Sequence, residues 1–246
     1  MSTPLPPWPY PRWIAHRGAG KLAPENTLAA FRLGARHGYR MFECDAKLSS
    51  DGVLFLLHDA TLERTTNGHG AAGERSMGEL AQLDAGGWHS RAYAGEAMPT
   101  LEALARYCLA NGHHLNVEIK PTPGQELATG RAVGELLSRI WPATAVPPLL
   151  TSFKPAALTG ARETAPALPR GLLLDKLADG AADVQTALDL GCQAMVLNHA
   201  LWDAALVARV HGAGLRALSY TGNDEWAAER LIALNTDGII PDRVGL

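Results

Sequence analysis

Two acids spaced by a single residue open the chemical reading of this chain. In Glu43-Cys44-Asp45 the period of a strand puts both carboxylates on one face and Cys44 on the other. A core strand would carry apolar residues there, because an unpaired buried carboxylate is expensive. A bound divalent cation removes the conflict, oxygen ligands being those that Mg²⁺ and Ca²⁺ prefer; the bland alternative is a strand end standing in solvent. The run Leu115-Asn116-Val117-Glu118-Ile119-Lys120 repeats the device. Asn116, Glu118 and Lys120 share a face, opposite an apolar face of Leu115, Val117 and Ile119. Glu118 would complete a three-carboxylate metal site with Glu43 and Asp45. Lys120, nearer the rim, could neutralise a phosphate, as could Arg17.

Proton-transfer groups flank this acidic face. His16 ends an apolar run and is followed by Arg17-Gly18, which presents imidazole and guanidinium together while Gly18 permits a tight exit. His58 closes the extended run 53–57 after an Asp51-Gly52 turn. If residues 47–58 double back as a hairpin, His58 returns to the neighbourhood of Glu43 and Asp45. Two histidines about an oxygen-bound cation are the minimum for cleaving a phosphodiester: one takes a proton from the nucleophile, the other protonates the leaving alkoxide. The remaining histidines have no such setting. His37, His113, His114 and His211 fall at helix ends or turns, His69 and His89 in a long loop, and His199 just after the sixth strand, so solvated or capping roles suit them better.

Eight short β-rich runs position these groups: Trp13–His16, Met41–Leu48, His114–Ile119, Leu149–Ser152, Gly171–Leu174, Ala194–Leu197, Leu215–Ser219 and Gly238–Ile240. Helical patterns near 25–37, 100–111, 125–140, 155–164, 180–190, 201–212 and 224–234 alternate with them. Alternation of this kind means βα units and a parallel sheet, and eight strands favour an α/β TIM (β/α)8 barrel over an open doubly wound sheet. The first helix has Pro24 near its start, Leu28, Phe31 and Ala35 on one face and Gly38 at its end. Between the second strand and the helix at 100–111 lies a Gly-rich stretch, an insertion over about 60–98, too long for an ordinary connection. It reads as a lid or side wall at the C-terminal face, where barrel active sites sit. The domain expectation is one unit, 1–246.

The composition narrows the partners. A formal net charge of -3 offers no basic stripe for nucleic acid and no polybasic segment for anionic lipid. No apolar run approaches the roughly 20 residues of a membrane span. The three cysteines, Cys44, Cys108 and Cys192, are far apart and form no CxxC pair, which suits a reducing cytoplasm. The first residues, MSTPLPPWPYPR, read as an extended lead-in strap rather than a signal peptide. Assembly as a homo-oligomer is compatible with all of this.

The motifs taken in order, His16-Arg17-Gly18, Glu25-Asn26-Thr27, Glu43-x-Asp45, His58-Asp59 with Leu62-Glu63-Arg64-Thr65-Thr66-Asn67-Gly68, Pro99-Thr100-Leu101-Glu102 and Val117-Glu118-Ile119-Lys120, resemble the glycerophosphodiester phosphodiesterase family of the bacterial, cytoplasmic type. The resemblance is strongest over 14–120, with weaker echoes in Ser152-Phe153, in Tyr220-Thr221-x-Asn223-Asp224 and in Asp237-Gly238-Ile239-Ile240. It implies a TIM barrel with a segment inserted after strand two. It also implies Glu43, Asp45 and Glu118 as ligands of Mg²⁺ or Ca²⁺, His16 and His58 as general acid and base, and Arg17 and Lys120 as phosphate-binding groups. The reaction implied is hydrolysis of a glycerophosphodiester to sn-glycerol 3-phosphate and an alcohol, within glycerol and lipid metabolism. Tyr220 stands where family members often carry Trp. Glu25 is open to two roles, first-turn helix chemistry or orientation of Arg17, and Trp88, in the long loop, to two others, anchoring the insertion or touching substrate. Related barrel phospholipases are the nearest rival enzymes, but a lipid substrate would need an exposed apolar rim, and no cluster of apolar loop residues is evident. A non-catalytic phosphodiester-binding barrel would not need two proton-transfer groups.

Overall fold

The computed structural model describes residues 5 and 7–244. Seven parallel strands follow one another around a curled sheet: β1 (Met41–Leu48), β3 (His114–Ile119), β4 (Leu149–Ser152), β5 (Arg170–Leu174), β6 (Ala194–Asn198), β7 (Arg216–Tyr220) and β8 (Gly238–Ile240). A short antiparallel strand, β2 (Leu54–Leu56), pairs with β1 through Ala46↔Leu56, Lys47↔Phe55 and Leu48↔Leu54. The helices are α1 (Leu28–Arg36), α2 (Met77–Leu80), α3 (Leu101–Asn111), α4 (Glu126–Ile140), α5 (Pro155–Thr164), α6 (Gly180–Asp189), α7 (Ala204–Gly212) and α8 (Glu225–Ala233).

The stretch expected as the first strand, Trp13–His16, is reduced to two single bridges, Trp13↔Ile239 and Ala15↔Phe42. Those two bridges close the ring. Ile14 donates to the carbonyl of Ile239 at 3.0 Å on one side, and Ala15 to that of Met41 at 3.0 Å on the other. The segment cannot grow longer: Pro9 and Pro11 before it lack the N–H a ladder needs, and Arg17 after it turns at φ +51°. Its shortness matters to the site. Ala15 pairs with the N-terminal half of β1, and β2 takes the C-terminal half of the same edge, so the chain leaving β2 passes over the mouth above His16. The amide of Leu57 reaches the carbonyl of Asp45 at 3.1 Å, and His58 comes next.

Alternation within the strands sorts side chains as the spacing predicts. Phe42, Cys44, Ala46, Leu115, Val117 and Ile119 pack outward against the helices, while Ile14, Met41, Leu149, Leu173, Val196, Leu218 and Ile240 fill the barrel. Tyr10, from the described part of the lead-in segment, joins this inner cluster and donates to the carbonyl of Pro147 at 2.8 Å; residues 1–4 and 6 of the expected strap lie outside the described residues. The interior is therefore apolar at its base and acidic at its mouth. Residues between β2 and α3 hold a small core of their own, with Leu57, Leu62, Ala72, Leu80, Ala85 and Met98 buried together. Among the described residues no helix is long and apolar enough to cross a membrane.

Candidate active site

The chain around His16 is bent by two left-handed residues. Arg17 has φ +51° and Gly18 φ +103°, and a Cβ on Gly18 would lie 2.8 Å from the backbone nitrogen of Phe31 in α1. Glycine is obligatory there, and the strained Arg17 is retained because its amide donates to Oε2 of Glu43 at 3.0 Å. A third left-handed residue, Asn26 (φ +59°), precedes the Thr27 cap of α1, whose hydroxyl accepts from the amide of Ala30. This geometry turns the Asn26 side chain inward. Its Nδ2 donates to Oδ2 of Asp45 at 2.8 Å, and its Oδ1 accepts from the Asp45 amide at 3.1 Å.

Register brings the acids together. Glu43 lies beside Asn116 and Asp45 beside Glu118 on adjacent strands. One carboxylate oxygen from each of Glu43, Asp45 and Glu118 lies within 4.8 Å of the others, and all three residues are buried. Burial and the neighbouring Asp45 charge push the Glu118 carboxyl up to about 7, and burial with the charges of Asp45 and Glu118 raises Glu43 well above its ordinary value. Asp45 goes the other way: burial opposes its charge, but Arg17, Lys120 and His58 hold it low. Oε1 of Glu43 and Oδ1 of Asp45 have no hydrogen-bond partner. Buried oxygens left without donors, in a set that would otherwise have to take up protons, fit a hard divalent cation.

Cations and imidazoles ring this cluster. Lys120 donates to Oε1 of Glu118 at 2.9 Å and lies 3.6 Å from Oδ1 of Asp45; Arg17 sets its Nε 3.1 Å from Oδ2 of Asp45 and donates from Nη1 to Glu25 at 2.8 Å. Nδ1 of His16 pairs with Oδ1 of Asp242, and its Nε2 lies 3.7 Å from Oε2 of Glu43. Nδ1 of His58 pairs with Asp59 at 2.7 Å, leaving Nε2 as the nitrogen free to serve the cleft. Burial, together with Arg17 and Lys120, lowers the His58 pKa against the pull of Asp45.

The cleft itself, about 370 Å³, is lined by His16, Arg17, Glu43, His58, Glu118 and Lys120 on one side and by Phe153, Leu173, Tyr220 and Ile240 on the other. Such a volume suits a small ligand. Every residue singled out from the sequence as a site candidate lines it except Asp45, which lies beneath with no exposure. Tyr220 stands edge-on to Phe153 at 5.8 Å and donates to the carbonyl of Leu174. His199 does not line the cleft, and Trp88 ties its indole to Ala85 at 2.9 Å within the insertion.

Four residues that complete the arrangement carry little signal of their role in the sequence: Asn26, Asp59 and Arg64 stand only as letters of longer motifs, and Asp242 belongs to none. Asp242 follows Ile240-Pro241 at the end of β8, and an acid at a strand's C-terminal end was the one signal available. Glu25 does orient Arg17, through the 2.8 Å bond above.

Residues 16–246 match the glycerophosphoryl diester phosphodiesterase family. A glycerophosphodiester phosphodiesterase of Caldanaerobacter subterraneus subsp. tengcongensis is 32% identical over 238 residues, covering 93% of each chain. Among solved structures, an Oleispira antarctica phosphodiesterase in complex with the product sn-glycerol-3-phosphate superposes with a TM-score of 0.90 at 35% identity, over 95% of this chain and 94% of that one. A glycerophosphodiester phosphodiesterase from Agrobacterium tumefaciens gives 0.77 at 28% identity, over 94% and 96%.

Proposed function

Because the chain belongs to the glycerophosphoryl diester phosphodiesterase family and is a phosphoric diester hydrolase, we propose that it hydrolyses glycerophosphodiesters such as glycerophosphocholine and glycerophosphoethanolamine to sn-glycerol 3-phosphate and an alcohol. The observation that carries this reading is the pair of histidines, each with Nδ1 held by an aspartate and each lining the cleft beside the three-carboxylate cluster. The product named for the Oleispira relative supports it.

In this reading Glu43, Asp45 and Glu118 hold Mg²⁺ or Ca²⁺. When bound, the cation supplies charge stabilisation for the phosphoryl oxygens. Arg17 and Lys120 bind those oxygens as fixed donors. One of His16 and His58 takes a proton at Nε2 from the attacking oxygen, that of the glycerol 2-hydroxyl or of water, and the other delivers one to the leaving alkoxide. Asp242 and Asp59 fix the ring orientations and stabilise each imidazolium as it forms, much as in other histidine–carboxylate pairs. Phe153 and Tyr220, packed edge to face, form an aromatic wall of the cleft against which the substrate would lie. Residues 1–246 act as one catalytic domain with 60–98 as its side wall, and the three buried thiols Cys44, Cys108 and Cys192 suit a reducing cytoplasm.

The test is release of sn-glycerol 3-phosphate from glycerophosphocholine by purified protein supplied in turn with Mg²⁺, Mn²⁺ and Ca²⁺, read by a coupled dehydrogenase. EDTA should abolish turnover. No turnover on any glycerophosphodiester with any of these metals would sink the reading.

A further inference from the structure

Arg64 lies outside the cleft, and its guanidinium bonds two carboxylates, those of Asp59 and Glu25. Nε donates to Oδ2 of Asp59 at 2.6 Å and Nη2 to Oδ1 at 3.0 Å. The opposite edge of the same guanidinium donates from Nη1 and Nη2 to Oε2 and Oε1 of Glu25 at 2.8 and 2.7 Å. Asp59 holds His58, and Glu25 holds Arg17. An unbroken chain of charge-assisted hydrogen bonds therefore runs from Arg17 through Glu25, Arg64 and Asp59 to His58.

Resting on the reading above, we infer that Arg64 is a positioning residue, a two-sided clamp that sets His58 and Arg17 in fixed relation across the cleft mouth. Planar forks on two edges are a geometry only arginine offers; a lysine ammonium presents one point charge. Its seat is rigid. Leu62 is buried in the insertion's core, Thr66 donates from its hydroxyl to the Leu62 carbonyl at 2.6 Å, and the Gly68 amide caps that hydroxyl at 2.9 Å. Glu25 enters from the turn before α1, 39 positions away in sequence, so the clamp joins two loops that share no strand pairing. An exposed ion pair contributes little by itself, bidentate contacts in good geometry being the exception; Glu25 and Asp59 are half-buried beside the exposed Arg64, and here what the contacts fix is orientation.

Removing the guanidinium leaves Asp59 and Glu25 as facing anions. Asp59, no longer neutralised, pulls the His58 proton more strongly, while Asp45, Arg17 and Lys120, the other charges facing that ring, stay in place. His58 then titrates at higher pH. Arg64→Met should show this shift by NMR of histidine-labelled protein, a readout that needs no turnover, together with a kcat at least about tenfold lower and a Tm within a few degrees of the parent. Arg64→Lys should return the His58 titration most of the way to its parental position through its charge but recover only part of kcat. Glu25→Gln, which loosens Arg17 as well, should raise KM and lower kcat, and should cost less in the Arg64→Met background than alone. The inference is overturned if His58 titrates in Arg64→Met as in the parent, or if Arg64→Lys is as displaced as Arg64→Met. Should Arg64→Met fail to fold, Arg64→Gln, which keeps a polar end without the charge, carries the same titration test with the same expected and overturning results. A parent protein inert on glycerophosphodiesters would sink the functional reading alone, because the NMR titration tests the clamp independently.

Discussion

The Asp242 carboxylate accepts a hydrogen bond from Nδ1 of His16, 226 positions away in the chain. The contact joins the first and last barrel positions, and it exists because the bridge Trp13↔Ile239 closes the ring there. A second oxygen of Asp242 accepts from Asn223 at 3.0 Å, and Asn223 accepts the Asp242 amide in return at 2.7 Å. His16 holds the carboxyl at about 2, against the effect of burial.

Asp242→Asn keeps the shape and removes the charge that supports the His16 imidazolium. We expect kcat to fall on the order of 10–10²-fold, within the range for impaired acid–base catalysis, with Tm nearly unchanged. Steady-state kinetics beside a melting curve would check this; parental kcat in the variant would show that the pair is only structural.

His16→Ala and His58→Ala should each lower the rate at least about 10²-fold while divalent-cation binding, measured by calorimetry, survives. Glu43→Gln and Asp45→Asn should do the reverse at the first step, weakening cation affinity directly. Retained affinity in both carboxamide variants would mean that the metal is held elsewhere.

Glu118 offers a pH signature. Its carboxyl is raised from 4.5 to about 7 in the fold, so the protonated folded form is the favoured one. The associated stability is complete below about pH 4.5 and is lost as pH rises through 7; Glu43 acts in the same direction. Burial lowers His58, His113 and His114 and so acts the other way over the same pH range, so the Glu118 effect is read by difference: from pH 5 to pH 8 the metal-free parent should lose Tm relative to Glu118→Gln. Saturating Mg²⁺ or Ca²⁺ should flatten the difference, since the cation replaces the protons. Melting curves of both proteins at both pH values, with and without metal, read it; a metal-free parent and Glu118→Gln whose Tm values change in parallel between pH 5 and 8 would contradict it.

Gly20 has φ +55°, and a Cβ there would stand 1.7 Å from the Asp242 carbonyl oxygen. Gly20→Ala should destabilise the chain by about 1–3 kcal/mol and displace the segment that carries Asp242. The activity loss should therefore exceed that of an equally destabilising change remote from the site, a comparison that assay and thermal melt together make.

The sequence by itself determined which side chains face which way. Glu43, Asp45, Glu118 and Lys120 fall on one face and Cys44, Val117 and Ile119 on the other because strand alternation is local and needs no partner to be read. It also carried the barrel, through eight β-rich runs alternating with helical patterns, and the hairpin that returns His58 to β1. Tertiary structure alone decided the rest. The supposed first strand survives as two bridges because prolines and a left-handed Arg17 truncate it. The groups that hold the chemistry in place, Asp242 on His16, Asn26 on Asp45, and Arg64 between Asp59 and Glu25, come from segments 19 to 226 positions from their partners or from a loop without periodicity. Contacts of that kind follow from barrel closure and loop crossing, and no repeat of 2 or 3.6 residues records them.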